Sequence, residues 1–275
     1  MTRDAAPITS LTNPRVKAAV RLRDRRERDA TGLTIVDGPR ELLRGLDGGV
    51  VVEEAFVCRD LIRSAEAEEA VARLGASGGA GSIHEVSADV LAKVGFGDRI
   101  DGVVAIVRAP AVGLDRLTLP PDPLVVVVES VEKPGNLGAI LRSADGAGAD
   151  AVIAADARTD LFNPNAIRSS LGTIFSVPIA SATTAATLEW LAAHAIQPIA
   201  ARVDADVLYT EIDFRGPVGI VMGSEAGGLS RAWEDPRVTA VRIPMHGAAD
   251  SLNVSVAAAI LLYEARRQRS AGRGD

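Results

Sequence analysis

Three short segments in the second half of the chain carry residue types that do chemistry, each directly after an apolar run. Residues 129–138 read Glu-Ser-Val-Glu-Lys-Pro-Gly-Asn-Leu-Gly. Asn136 stands where a helix cap belongs, and Arg142 projects from the second turn of the helix expected at about 137–147, where it could also pair with Asp145. Residues 223–230 read Gly-Ser-Glu-Ala-Gly-Gly-Leu-Ser. Their glycines let a ligand approach backbone N–H groups, but Glu225 breaks the dinucleotide fingerprint and no Gly-Lys-Ser/Thr follows. A carboxylate among glycines suits a cationic or neutral ligand better than a phosphate. Residues 244–256 lead through an irregular loop into an almost apolar helix, with Ser251 and Asn253 at its entry as possible caps. Ser251, His246 and Asp250 are the residue types of a hydrolase triad, yet no Gly-x-Ser-x-Gly elbow accompanies them.

These loops need strands to carry them. After residue 123, short Val/Ile-rich runs at 124–128, 151–154, 174–177, 198–201, 218–222 and 238–243 alternate with helical segments, ending in a helix at about 253–267. Continuous apolar strands separated by helices predict a parallel sheet covered on both faces, with ligands at the carboxyl ends of its strands. Before residue 109 the pattern is a smaller α/β one: apolar runs at 33–36, 55–57 and 103–107, a helix at 61–74 and a flexible loop at 75–81. Residues 109–123 hold four prolines and read as a stiff linker. The expected division is therefore 1–108, linker 109–123, and 124–275.

Composition narrows the class. With 275 residues, 47% hydrophobic and 24% charged, the chain is a globular protein able to bury a sizeable core. Cys58 is the only cysteine, which excludes an intrachain disulfide and a cysteine-based zinc site, and three scattered histidines offer no metal cluster. No metal is expected. The beginning of the chain has no apolar signal region and no run is long enough to span a membrane, so the expectation is a cytoplasmic protein. A net charge of −6 and 3% aromatics argue on their face against nucleic acid. The distribution argues otherwise, because residues 1–28 hold eight basic side chains against three acidic. Following Asn13-Pro14, this run reads as a helix with Val16, Ala19 and Val20 as a thin apolar stripe. It is either a solvated helix with pairs such as Arg23–Glu27 or a phosphate-contacting surface.

Taken in order and spacing, the three loops resemble the three signature motifs of the SpoU/TrmH family of SPOUT RNA 2′-O-ribose methyltransferases. Residues 136–142 (Asn-Leu-Gly-Ala-Ile-Leu-Arg) match the first, 223–228 the second, and 243–257, including Ser-Leu-Asn-Val-Ser-Val-Ala, the third. Arg168-Ser-Ser-Leu-Gly is similar to the segment between motifs, and residues 13–41 and 102–107 resemble a ribosomal-protein-like substrate-binding domain. Asp37 stands where many members have Glu. The resemblance implies an α/β SPOUT domain with a parallel sheet and a deep trefoil knot, preceded by that small α/β domain. It implies a homodimer, the cofactor S-adenosyl-L-methionine, and a structured RNA substrate, with 23S rRNA favoured; a tRNA substrate or a non-catalytic ribosome-assembly role remain the alternatives. Carried over by position, Gly223, Ile243 and Leu252, with Met222, Met245 and Gly228 beside them, would hold the cofactor. Arg142, Asn136, Ser251, Glu225 and Asn253 would form the catalytic set. The resemblance assigns removal of the hydroxyl proton to Arg142, organised by Asn136 and Ser251; because arginine is essentially always protonated, the alternative is that Arg142 chiefly clamps phosphate and orients the ribose, with the proton going to solvent or a coupled group. Arg15, Lys17, Arg21, Arg25, Arg40 and Arg168 are the expected RNA contacts.

Overall fold

The computed structural model describes residues 6–76, 81–96, 101–225 and 227–271. The chain forms two compact units, one of residues 1–110 with 162–176, the other of residues 111–161 with 177–275.

In the first unit, α1 (Pro14–Arg21) is capped by Asn13, whose side chain accepts the Arg15 N–H, with proline at its first turn. The single basic helix expected there is instead two. Asp24 accepts the Arg26 N–H and starts α2 (Arg25–Thr31), which Gly32 ends at φ 67°. A short polar side chain that can cap competes with helix continuation, and here the cap wins. Then follow β1 (Leu33–Asp37), α3 (Pro39–Asp47), β2 (Val52–Val57), α4 (Ala65–Ala76), β3 (Ser82–Glu85), α5 (Ala88–Val94) and β4 (Val103–Arg108). The helix expected at 61–74 begins later, at Ala65, and the expected loop at 75–81 lies partly outside the described residues. The strands form a mixed sheet in the order β1-β4-β2-β3, with β4 antiparallel to both neighbours. Val16, Ala19 and Leu22 pack into a core with Ile35, Phe56, Val90 and Val104, while Val20 stays only partly covered.

The second unit is built on β5 (Leu124–Glu129), α6 (Pro134–Ala147), β6 (Ala151–Ala155), the short α7 (Pro164–Ser169) that belongs to the first unit, β7 (Ile179–Ala182), α8 (Thr184–Ala193), β8 (Gln197–Ala201), β9 (Val218–Met222), β10 (Thr239–Val241) and α9 (Val254–Ala271). Its sheet is all parallel in the order β10-β8-β9-β5-β6-β7. Every residue of β5, β6 and β9 is buried, as a sheet covered on both faces requires. Residues 111–123 pack on this body: Leu114, Leu117 and Leu119 lie against the core around Val125 and Trp233, and Val112 O accepts the Ser181 N–H at 2.6 Å.

No strand forms at 174–177. Gly172 turns at φ 82° into a 3-10 turn over Thr173–Phe175, and Phe175 stacks on Phe162 with ring centroids 6.1 Å apart. The excursion 162–176 is tied within its own unit by Thr34 Oγ1 donating to Phe162 O (2.6 Å) and Arg44 donating to Leu171 O (2.7 Å). The edge strand comes later, as the small-residue run β7.

Candidate active site

The sheet order reverses between β5 and β9, where the chain's crossovers leave in opposite directions, and such a switch point is where open parallel sheets bind ligands. At the carboxyl ends of β8, β9 and β10 lies a cavity of 710 Å³. All six residues expected to hold a cofactor line it: Gly223, Ile243, Leu252, Met222, Met245 and Gly228.

The glycine loop is closed on itself. Ser224 and Gly228 exchange N–H···O=C bonds of 3.0 and 3.1 Å, and a Cβ on Gly223 would lie 2.3 Å from the Gly228 carbonyl carbon. No side chain fits at Gly223, where the two ends of the loop pack backbone on backbone. The exit of the loop is anchored from β5. Glu129, 3% exposed, accepts the Ser230 N–H and Oγ–H at 2.7 Å each and Thr184 Oγ1–H at 2.8 Å. A buried carboxylate needs such donors, and here they are supplied.

Glu225 stands on the cavity wall and gathers residues from both sides of the switch point. Lys133 Nζ and Asn136 Nδ2 donate to it, and Asn253 Nδ2 donates at 3.0 Å. The bonds from Lys133 first and Asn136 next hold its carboxyl below the usual carboxylate range. Asn253 Nδ2 also reaches Asn136 Oδ1 at 3.3 Å. Asn136 therefore is not the cap of α6: the helix starts at Pro134, with Lys133 in the cap position, which frees the Asn136 amide for Glu225. Ser251 lines the cavity and makes no hydrogen bond to His246 or Asp250 among the described residues, so no triad forms. Arg142 lies on α6, six residues and about 9 Å along the axis from Asn136. It is exposed, does not line the cavity, and has no ion pair with Asp145 or any other described residue.

Lys133, Glu129, Ser255 and the pair Arg202–Asp204 also belong to this neighbourhood, and the sequence reading did not assign them roles. Arg202 holds Asp204 through two bonds, 3.0 and 2.9 Å, on the cavity wall after β8. A charged residue ending the apolar run 124–128 was a usable signal for Glu129; nothing local marked the others.

In the first unit most expected RNA contacts are already engaged. Arg15 pairs with Glu54, Arg21 with Glu27 (3.2 Å), Arg25 with Asp29 (3.5 Å) and Arg40 with Glu66 (3.5 Å). The expected Arg23–Glu27 pair is replaced: Arg23 donates to the carbonyls of Lys93 (3.0 Å) and Gly95. Arg168 donates to Phe96 O (2.7 Å) and lies 3.9 Å from Asp37, so its fork faces protein. Burial pushes the Asp37 carboxyl up to about 6, against the pull of the Phe96 N–H and Arg168. Lys17 and Arg26 are exposed, and their side chains have no hydrogen bond or ion pair among the described residues. No group of three or more metal-ligating side chains and no helix able to cross a membrane occurs among the described residues.

Residues 123–263 match the model of the SpoU rRNA Methylase family, and residues 13–105 match that of the MRM3-like substrate binding domain. A 23S rRNA (uridine(2479)-2′-O)-methyltransferase of Streptomyces viridochromogenes is 40% identical over 179 residues, a span covering 62% of each chain. A solved RNA 2′-O ribose methyltransferase is 42% identical, with TM-score 0.84, covering 96% of this chain and all of that one. The SpoU methyltransferase AviRb from Streptomyces viridochromogenes, solved in complex with the cofactor AdoMet, is 32% identical with TM-score 0.84, covering 94% of this chain and 98% of that one.

Proposed function

Because the chain belongs to the SpoU rRNA Methylase family, we propose that it transfers a methyl group from S-adenosylmethionine to a ribose 2′-hydroxyl of ribosomal RNA. The observation that carries this reading is the 710 Å³ cavity at the switch point, lined by a glycine loop in which Gly223 has no room for a side chain and walled by Glu225 with its three donors. Its size is that of a small-molecule site, and Ile243, Leu252, Met222 and Met245 offer an adenine the apolar slot it needs.

When bound, the cofactor supplies an electrophilic methyl on a sulfonium sulfur. The chain's own residues do the rest. Arg142, which pairs with none of the described residues, grips the phosphate beside the target ribose and aims its 2′-oxygen. Asn136, Asn253 and Lys133 hold Glu225 ionised, which makes it a fixed counter-charge rather than a strong base, and Ser251 contributes a hydroxyl to the same wall. The ribose 2′-oxygen would take the methyl and give its proton to solvent while the methyl–sulfur bond breaks and a neutral thioether leaves, and the residues named here contribute by positioning. Lys17 and Arg26 of the first unit contact RNA phosphates. The chain threads the trefoil knot typical of this fold, works in the cytoplasm and pairs as a homodimer through α9, where Val256 and Tyr263 are 48% and 54% exposed.

Arg142→Ala tests the assignment. Methyl transfer to rRNA should fall at least about 100-fold while cofactor affinity measured by calorimetry stays within about twofold. Retained transfer would overturn the role of Arg142, and absence of cofactor binding by the unaltered protein would overturn the function. Mapping 2′-O-methyl positions in 23S rRNA of a strain lacking the gene identifies the nucleotide.

A further inference from the structure

Asn253 does two jobs with the two ends of one amide. It immediately precedes α9, and its Oδ1 accepts the Ser255 N–H at 2.9 Å and the Ser255 Oγ–H at 2.6 Å, the bonding of a helix cap. Its Nδ2 is then left to donate to Glu225 Oε1 at 3.0 Å and Asn136 Oδ1 at 3.3 Å. The two ends of an amide are nearly the same size, so shape alone does not decide which faces the cavity. Hydrogen-bond polarity does. Turned over, the amide would set Oδ1 against two acceptor oxygens and Nδ2 against a backbone N–H that can only donate.

We propose that Ser255, which lines neither the cavity nor the small recess beside Asn136, is a positioning residue that fixes the Asn253 amide with its donor end toward Glu225. Through Asn253 it fixes the Glu225 carboxylate as well. The inference deepens the methyl-transfer reading and rests on it. The cap and the active-site contact are thus one device: the helix start spends the acceptor, and the acidic wall receives the donor. Ser255 N–H holds the orientation in part, and Ser255 Oγ–H supplies the second donor, so removing the hydroxyl weakens the preference without abolishing it.

The test compares Ser255→Ala, Ser255→Thr and Asn253→Asp in the full chain. Three readouts are taken: S-adenosylmethionine affinity by calorimetry, kcat and KM on rRNA, and exchange of the Asn253 side-chain amide protons by NMR. Ser255→Ala should lower kcat by about five- to tenfold with KM for RNA unchanged, speed exchange of the Asn253 amide, and leave Tm nearly where it was. Ser255→Thr, which keeps the hydroxyl, should restore both rate and slow exchange. Asn253→Asp keeps a good cap but turns a carboxylate toward Glu225, so it should hold Tm and lose cofactor affinity by more than tenfold. Unchanged kcat and exchange in Ser255→Ala, or losses that track Tm in all three variants, would mean a cap and nothing more. Failure of the unaltered protein to bind the cofactor would instead strike the underlying function, leaving the two failures distinguishable.

Discussion

The cavity wall of the second unit and the end of β1 in the first each set a carboxylate next to a cation, and the two are shifted in opposite directions. Glu225 faces solvent and gathers donors from Lys133, Asn136 and Asn253, which hold it ionised. Among the described residues Asp37 has one backbone donor, Phe96 N–H at 2.6 Å, and Arg168 lies 3.9 Å away. Its side chain is 7% exposed, and burial pushes it up to about 6. A nearby cation is thus not enough: direct hydrogen bonds keep a carboxylate charged, and burial without enough of them favours the proton. A site that must present a fixed charge to a ligand is built the first way.

Substitution at Glu225 is the strongest way to break this contrast. Glu225→Gln places an amide donor against donors already aimed at the carboxylate, so the glycine loop loses its tie to α6 and α9. Cofactor affinity by calorimetry should fall more than about tenfold with little change in Tm, because the group is exposed. Affinity equal to that of the unaltered protein would show that the donors merely decorate the wall. The matching experiment on Asp37 reads stability instead. An acid raised in the folded state binds more protons there than when unfolded, so its stabilising effect is complete below about pH 4 and is lost as pH rises through about 6. Unfolding by urea between pH 4 and 7.5 should show a decline of up to about 3 kcal/mol from this group, and Asp37→Asn should remove that component. The same pH profile in both proteins would refute the raised value.

The smallest effects concern the cations. Lys17→Ala and Arg26→Ala should each weaken RNA binding a few-fold and lower the slope of log affinity against log salt by about one. Arg21→Ala and Arg25→Ala, whose side chains are already shared with Glu27 and Asp29, should change that slope less. Equal effects from all four would mean the ion pairs open on binding.

Much of the site was legible before any coordinates. The runs at 124–128, 151–154, 198–201 and 218–222 became β5, β6, β8 and β9 within a residue at each end, because short buried apolar runs bounded by turn residues read as strands of a covered parallel sheet. The glycine loop and its carboxylate were visible for a related reason: they break an apolar pattern abruptly. The misplaced strand at 174–177 shows where local pattern fails. Ile174 and Val177 look like a strand, but Gly172 at positive φ and the Phe162–Phe175 stack draw the segment into the first unit. The basic run was legible only as charge, since counting arginines does not show the carboxylates and carbonyls that several of them meet.

The sequence alone therefore determined the order of strands and loops, the family likeness and which residue types each loop offers, since periodicity and turn chemistry act over a few neighbouring residues. Tertiary structure alone decided the partners. Glu225 meets Lys133 and Asn136 across about 90 positions of chain, Asn253 caps a helix and faces the cavity with the same amide, and residues 162–176 join a unit to which their neighbours in sequence do not belong. Hydrogen bonds and ion pairs are satisfied by whatever the packed elements bring within about 3 Å, and that choice is made only when the sheet order and the helix directions are set.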